Sequence, residues 1–158
     1  MTSQFSCIYN GVMLFSYDYN QSLGYLTGIA NRSLSNMLAI KFREANINMT
    51  AEQWGAIIVL LNDGEMSQRE LGDKLHLEKS SVSRLSGGLE KRGWISRTKN
   101  PKDSRQNLIS PTSKAFEVAE HCASIARPIL TDAQSGMSEK EILLLRSLLS
   151  RIITNLRV

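Results

Sequence analysis

From Ser22 to Glu44 the apolar residues Leu23, Leu26, Ile29/Ala30, Leu34 and Met37/Leu38 recur every three or four positions, which predicts a long amphipathic helix. Asn46 to Met49 interrupts it. Thr50-Ala51-Glu52-Gln53 then has capping-box spacing ahead of Trp54, Ile57/Ile58 and Leu61, so a second helix runs to about Asn62. Asn62-Asp63-Gly64 reads as a turn. A second capping box, Ser67-Gln68-Arg69-Glu70, opens a short third helix carrying Leu71 and Leu75. After a break at His76-Leu77, Val82, Leu85 and Leu89 fall on one face of a fourth helix, which ends where Gly93 suits a C′ position.

The pattern then changes period. Trp94 to Thr98 and Gln106 to Ser110 read as two short strands around the turn-rich, basic segment from Lys99 to Arg105, giving a hairpin with a charged tip. Thr112 caps a fifth helix carrying Phe116, Ala119, Ala123 and Ala126, in which Pro128 is expected to produce a kink or break before the helix resumes to about Gln134. Ser138 to Glu141 caps a sixth, whose Ile142, Leu145, Leu149, Ile152 and Leu156 repeat with 3-4-3-4 spacing, widened by Leu144, Leu148 and Ile153. That face is too broad to leave wet. The first twenty residues differ from the rest: Phe5, Tyr9, Phe15, Tyr17 and Tyr19 are half of the aromatics, with Asp18 the only charge, a composition suited to docking.

A short helix, a tight turn, a second helix and a basic hairpin is the order of a winged helix-turn-helix, whose second helix enters the major groove of DNA. With Ser80 at 0° and about 100° per residue, Val82, Leu85 and Leu89 cluster near 140–200° while Ser80, Ser83, Arg84, Gly87 and Lys91 lie opposite. One face can pack; the other can meet nucleic acid, through hydroxyls and an arginine able to contact phosphates or a guanine edge. Taken alone, such a helix is equally well a surface helix with solvated charges.

Charge sharpens the picture. The net charge of +4 is modest, but ten basic and five acidic residues lie between Met66 and Arg105, so that segment carries more than the whole excess. A chain of 158 residues with 42% hydrophobic content can bury a real core. Two cysteines, Cys7 and Cys122, fit a reducing, cytoplasmic compartment better than a disulfide framework. The first basic residue is Arg32 and the apolar stretch from Gly11 to Phe15 is short, so neither a targeting segment nor a membrane span is expected. His76 and His121 are the only histidines, no Gly-rich phosphate loop is present, and no Cys/His spacing suits zinc. Neither an enzyme, a metal site nor a cofactor is expected.

Leu71-Gly72-Asp73-Lys74-Leu75, Ser80-Ser81-Val82-Ser83-Arg84-Leu85, Leu89 to Arg97 and Asp103-Ser104-Arg105 together resemble the multiple-antibiotic-resistance regulator (MarR) family, a likeness running from about Ser22 to the C-terminus. It implies a mainly α fold with a small β-hairpin wing: an aromatic tail over 1–20, a dimerisation helix over 21–48, a winged helix-turn-helix over 49–111 and C-terminal dimerisation helices over 112–158. It further implies that Ser80, Ser81, Ser83 and Arg84 face the major groove, with Lys79 and Lys102 adding contacts, and that Arg105 on the wing reaches a minor groove. Physics agrees on the last point, because a narrow minor groove concentrates negative potential that an arginine on a hairpin can enter. In the family Asp103 would brace the wing by pairing with Arg97 or Arg92.

The chain departs from the family at Asn100, where a first wing Asp is frequent, at Ala115, where Gly is common, and at Gly87-Gly88, which interrupts the reading helix at roughly 1 kcal/mol per glycine. The resemblance implies a homodimer that binds double-stranded DNA as a repressor released by a small aromatic or anionic effector. A pocket near Tyr25 and Trp54 is the analogous site. The alternatives are redox control through Cys7, and a winged module that binds protein without operator specificity; Cys122 reads as core filler.

Overall fold

The structure, a computed structural model, describes residues 7–9, 12–15, 17–101 and 103–156, and side chains over 17–101, 103 and 106–156. Six helices and five strands follow one another among these residues. Strands β1 (Cys7–Tyr9) and β2 (Val12–Phe15) pair antiparallel. These strands in the aromatic tail were not among the expected elements, although Asn10-Gly11 between two apolar runs is a recognised hairpin signal. Tyr17 and Tyr19 are more than half exposed, and Tyr19 packs edge-on to Tyr25 with ring centroids 4.9 Å apart.

Helix α1 (Leu23–Glu44) is capped by Ser22, whose hydroxyl accepts from Tyr25 N and is bonded by the Tyr17 hydroxyl. Helices α2 (Ala51–Asp63), α3 (Gln68–Leu75) and α6 (Glu139–Asn155) each open with a complete capping box, at Thr50/Gln53, Ser67/Glu70 and Ser138/Glu141. Reciprocal bonding of side chain and backbone at these starts satisfies amides a helix leaves orphaned, which is why the boundaries were legible. Helix α4 (Lys79–Lys91) closes on Gly93 at φ 72°, the left-handed conformation the sequence predicts there.

A three-stranded antiparallel sheet has the order β3-β5-β4, where β3 is Met66–Ser67, β4 Ile95–Asn100 and β5 Asp103–Pro111. The predicted hairpin is there, but its strands run further into the expected seven-residue basic tip: Lys99 pairs with Asn107 and Asn100 with Asp103, with a register shift between Lys99 and Asn100. Strand β3 was not foreseen. Two residues are too short for a periodicity, and only Ile109 and Leu108 across the sheet define it.

Helix α5 (Ser113–Ala133) is continuous through Pro128, so of the expected kink or break the break is absent. Cys122 and Ala126 are buried before the proline and Ile129 packs on the core after it, so burial on both sides offsets the lost backbone bond. The core joins Leu38 and Phe42 of α1, Ala56, Ile57 and Leu60 of α2, the inward faces of α3, α4 and the sheet, and the inner side of α5. Helix α6 contributes nothing to it; none of its residues is buried, and Leu143, Leu144, Leu145, Leu148, Leu149 and Ile153 are exposed.

Candidate nucleic-acid interface

The approach of α3 to α4 is set by two backbone features. His76 adopts a left-handed φ of 52°, turning the chain just after α3, and Leu77 N donates to Gly72 O at 2.9 Å. Gly72 is buried, and a Cβ built there would meet Leu77 O and Val82 Cγ1, each at 3.3 Å. A side chain there would press on both, so glycine suits this packing.

Held in this way, α4 buries Val82, Leu85, Ser86 and Leu89 and exposes Lys79, Ser80, Ser83 and Arg84, with Ser81 half-buried on the flank. Helical angles read from sequence thus divide the helix as the fold does. Arg84 Nη2 lies 3.4 Å from Ser81 Oγ, so the guanidinium runs along the helix. Neither Gly87 nor Gly88 marks a close approach: added Cβ atoms would meet Arg97 at 4.0 Å and Gln53 at 3.5 Å, ordinary contact distances.

Beyond Leu108, where pairing with β3 stops, β4 and β5 continue as a two-stranded ribbon toward the tip. The side chains of Lys102 and Arg105 lie outside the described ones. At the ribbon's base stand the arginines expected to brace Asp103, and both are engaged elsewhere. Arg97 lies 3.0 Å from Glu90 Oε2, with the Nε–H off the line of a good hydrogen bond, so charge holds the pair; its Nη1 reaches Gln68 Oε1 at 3.5 Å. Arg92 donates to Asn48 O at 3.2 Å and lies 5.3 Å over the Trp94 ring. Asp103 accepts from Gln106 Nε2 at 3.0 Å. Sequence reasoning missed Glu90 and Gln68, since their roles follow from how α4, β4 and α3 meet.

The cations of this surface divide into two sets. Arg69 is 3.9 Å from Asp73, Lys74 2.9 Å from Asp63, and Arg97 is paired with Glu90. Among the described residues Lys79, Arg84, Lys91 and Lys99 form no ion pair. Between α3, the start of α4 and β5 lies a cleft of about 730 Å³ bordered by Gln68, Arg69, Lys79, Gln106 and Asn107. Of the unpaired cations only Lys79 borders this cleft, whose edge also carries Asp73 and Glu78, while Arg84, Lys91 and Lys99 are exposed outside it; it is these unpaired cations that suit a polyanion.

Tyr25 and Trp54 are not brought together within the subunit. Trp54 packs edge-on to Phe42 at 5.8 Å, while Tyr25 lies at the other end of α1, roughly 25 Å along the helix at 1.5 Å per residue. The apolar groove lies elsewhere, about 520 Å³ between α1 and α5, lined by Leu34, Met37, Ile125 and Ile129 with Lys41 and Asp132 at its edge. Cys122 is fully buried, its thiol 3.7 Å from Met49 Sδ, and burial pushes its pKa up to about 11. The Cys7 side chain lies outside the described ones.

The MarR family model matches residues 49–106, which spans α2 to the wing. An uncharacterised HTH-type transcriptional regulator of Bacillus subtilis, YdgJ, is 25% identical over 125 residues, covering 79% of this chain and 76% of the relative. A probable transcriptional regulator from Pseudomonas aeruginosa superposes with a TM-score of 0.76 at 27% identity over 85% of this chain and 99% of the other. A mutant of MarR from E. coli, solved with operator DNA, gives a TM-score of 0.74 at 22% identity, covering 82% and 92%, a likeness of fold.

Proposed function

We propose that this chain is a winged-helix transcription regulator of the MarR family, as its likeness to that family supports, and that it acts in the cytoplasm as a homodimer on double-stranded DNA. In this reading α4 lies in the major groove, with Ser80, Ser81, Ser83 and Arg84 toward the bases and Lys79 on phosphate. The wing, with Lys102 and Arg105, meets the flanking minor groove. The observation that carries it is the division of α4: a buried apolar face locks the helix to the core, and the opposite face holds unpaired Lys79 and Arg84 among hydroxyls. A dimer follows the exposed apolar faces of α1, α5 and α6, and would set two reading helices about 34 Å apart, one turn of DNA.

The relative solved with operator DNA supports the nucleic-acid partner. Release of a repressor by a small aromatic or anionic effector is the finer reading; the α1–α5 groove supports it, because a ligand seated among the helices that join the subunits would change the spacing of the reading helices. The test is selection of bound duplexes from a random pool, followed by retention on the selected and on scrambled sequence with and without benzoate. Enrichment of a two-fold symmetric site supports the regulator. Equal retention on scrambled duplex would replace it with a winged module lacking operator specificity.

A further inference from the structure

Arg97 stands where three elements meet. It pairs across the sheet with Ile109, with which Met66 of β3 also pairs, one level before Thr98 and Leu108, beyond which the two-stranded ribbon projects, so it stands near the ribbon's base. Two residues from buried Ile95 on the same face of β4, its side chain points inward and is less than a quarter exposed. There the guanidinium meets Glu90 of α4 at 3.0 Å and Gln68 at the start of α3 at 3.5 Å.

Two-stranded ribbons are weakly held by themselves, and the pivot of this one has no third strand beyond it. A guanidinium held by charge to Glu90 of α4 and within reach of Gln68 of α3 ties the base of such a ribbon to both helices of the helix-turn-helix. We propose that Arg97 is the positioning residue that locks the wing to the reading helix through Glu90 and Gln68, so that the two DNA-contacting elements engage as one rigid unit. The inference rests on the DNA-binding reading for its consequence and on geometry alone for the lock.

Arg97→Gln, Glu90→Gln and the double variant of the full-length chain test it in two arms. In the first, hydrogen exchange of the free protein reads the amides of Lys99 and Asn107: both single variants should speed them while α4 amides near Leu85 stay protected. In the second, the duplex selected by the wild type is flanked with A·T or G·C pairs. Each single variant should lose roughly fivefold of the flank discrimination, and the double no more than either alone, as for partners in one interaction. Unchanged wing exchange, or additive losses in the double variant, would overturn the lock. Failure of the wild type to enrich any duplex would instead defeat the DNA-binding reading, and the exchange arm would still decide the lock. Glu90 is nearly half exposed, so Glu90→Gln keeps the fold even if Arg97→Gln does not.

Discussion

Gly72 and Gly88 sit in neighbouring helices and respond to the same substitution in opposite senses. An added methyl at Gly72 presses at 3.3 Å on a backbone oxygen and on Val82, neither of which can swing away, so Gly72→Ala should cost about 1–2 kcal/mol. At Gly88 the nearest atom is Gln53 Nε2 at 3.5 Å, an ordinary contact distance, and Gly88→Ala should gain about 0.5–1 kcal/mol from reduced chain entropy. Urea denaturation of both variants checks the pair; equal signs would contradict the geometry. Cys122 is a second residue whose environment decides its chemistry. Its pKa of about 11 leaves almost no thiolate at pH 7, so in a Cys7→Ser background it should resist iodoacetamide when native and react at once in denaturant.

At the scale of elements, the caps of α3 and α6 make a pH prediction. Hydrogen bonds from the Ser67 and Ser138 backbone amides and hydroxyls hold the Glu70 and Glu141 carboxyls below the ordinary 4.5. A carboxyl lowered in the folded state stabilises fully above its ordinary value and loses that contribution as pH falls through the lowered one. Stability should be flat on this account from pH 7 to 5 and decline below about 4.5; Glu70→Gln should reduce the decline in an acid titration followed by circular dichroism. Helix and wing should also fail differently on DNA. Arg84→Ala should cost roughly 1–3 kcal/mol and relax preference at one position if it reads a base, or weaken all sequences alike if it binds phosphate. Arg105→Ala should lower the salt slope by about one and weaken discrimination of A·T-rich flanks. A salt series on selected and scrambled duplexes measures both, and unchanged affinity in both variants would remove the winged-helix mechanism.

For the whole molecule the decisive feature is that α6 shows a leucine-rich face and buries none of it within the subunit. Ending the chain after Ser135 should therefore leave the core intact and yield a folded monomer, while binding to a two-fold site drops roughly a hundredfold or more as two linked contacts become one. Sedimentation with a binding isotherm tests this. A truncated protein that remains dimeric would move the subunit seam to α1 and α5 alone.

Local rules determined much of this protein. Capping boxes at Thr50, Ser67 and Ser138, the glycine after α4 and the two faces of α4 are readable because each depends on residues within one or two turns. The exposed edge of the candidate interface, Lys79, Ser80, Ser83 and Arg84, was legible for the same reason. What only the tertiary structure decided involves partners distant in sequence: strand β3, which exists through Ile109 and Leu108; the unbroken α5, where burial on both sides outweighs Pro128; and Arg97 on Glu90 and Gln68 where Asp103 was expected. The core, too, draws on Phe42 and Cys122 from helices on either side of the winged segment, because a three-helix and hairpin lobe leaves apolar area that only those helices reach. Periodicity tells which face is buried; it does not tell against what, since that choice is made by packing across the chain.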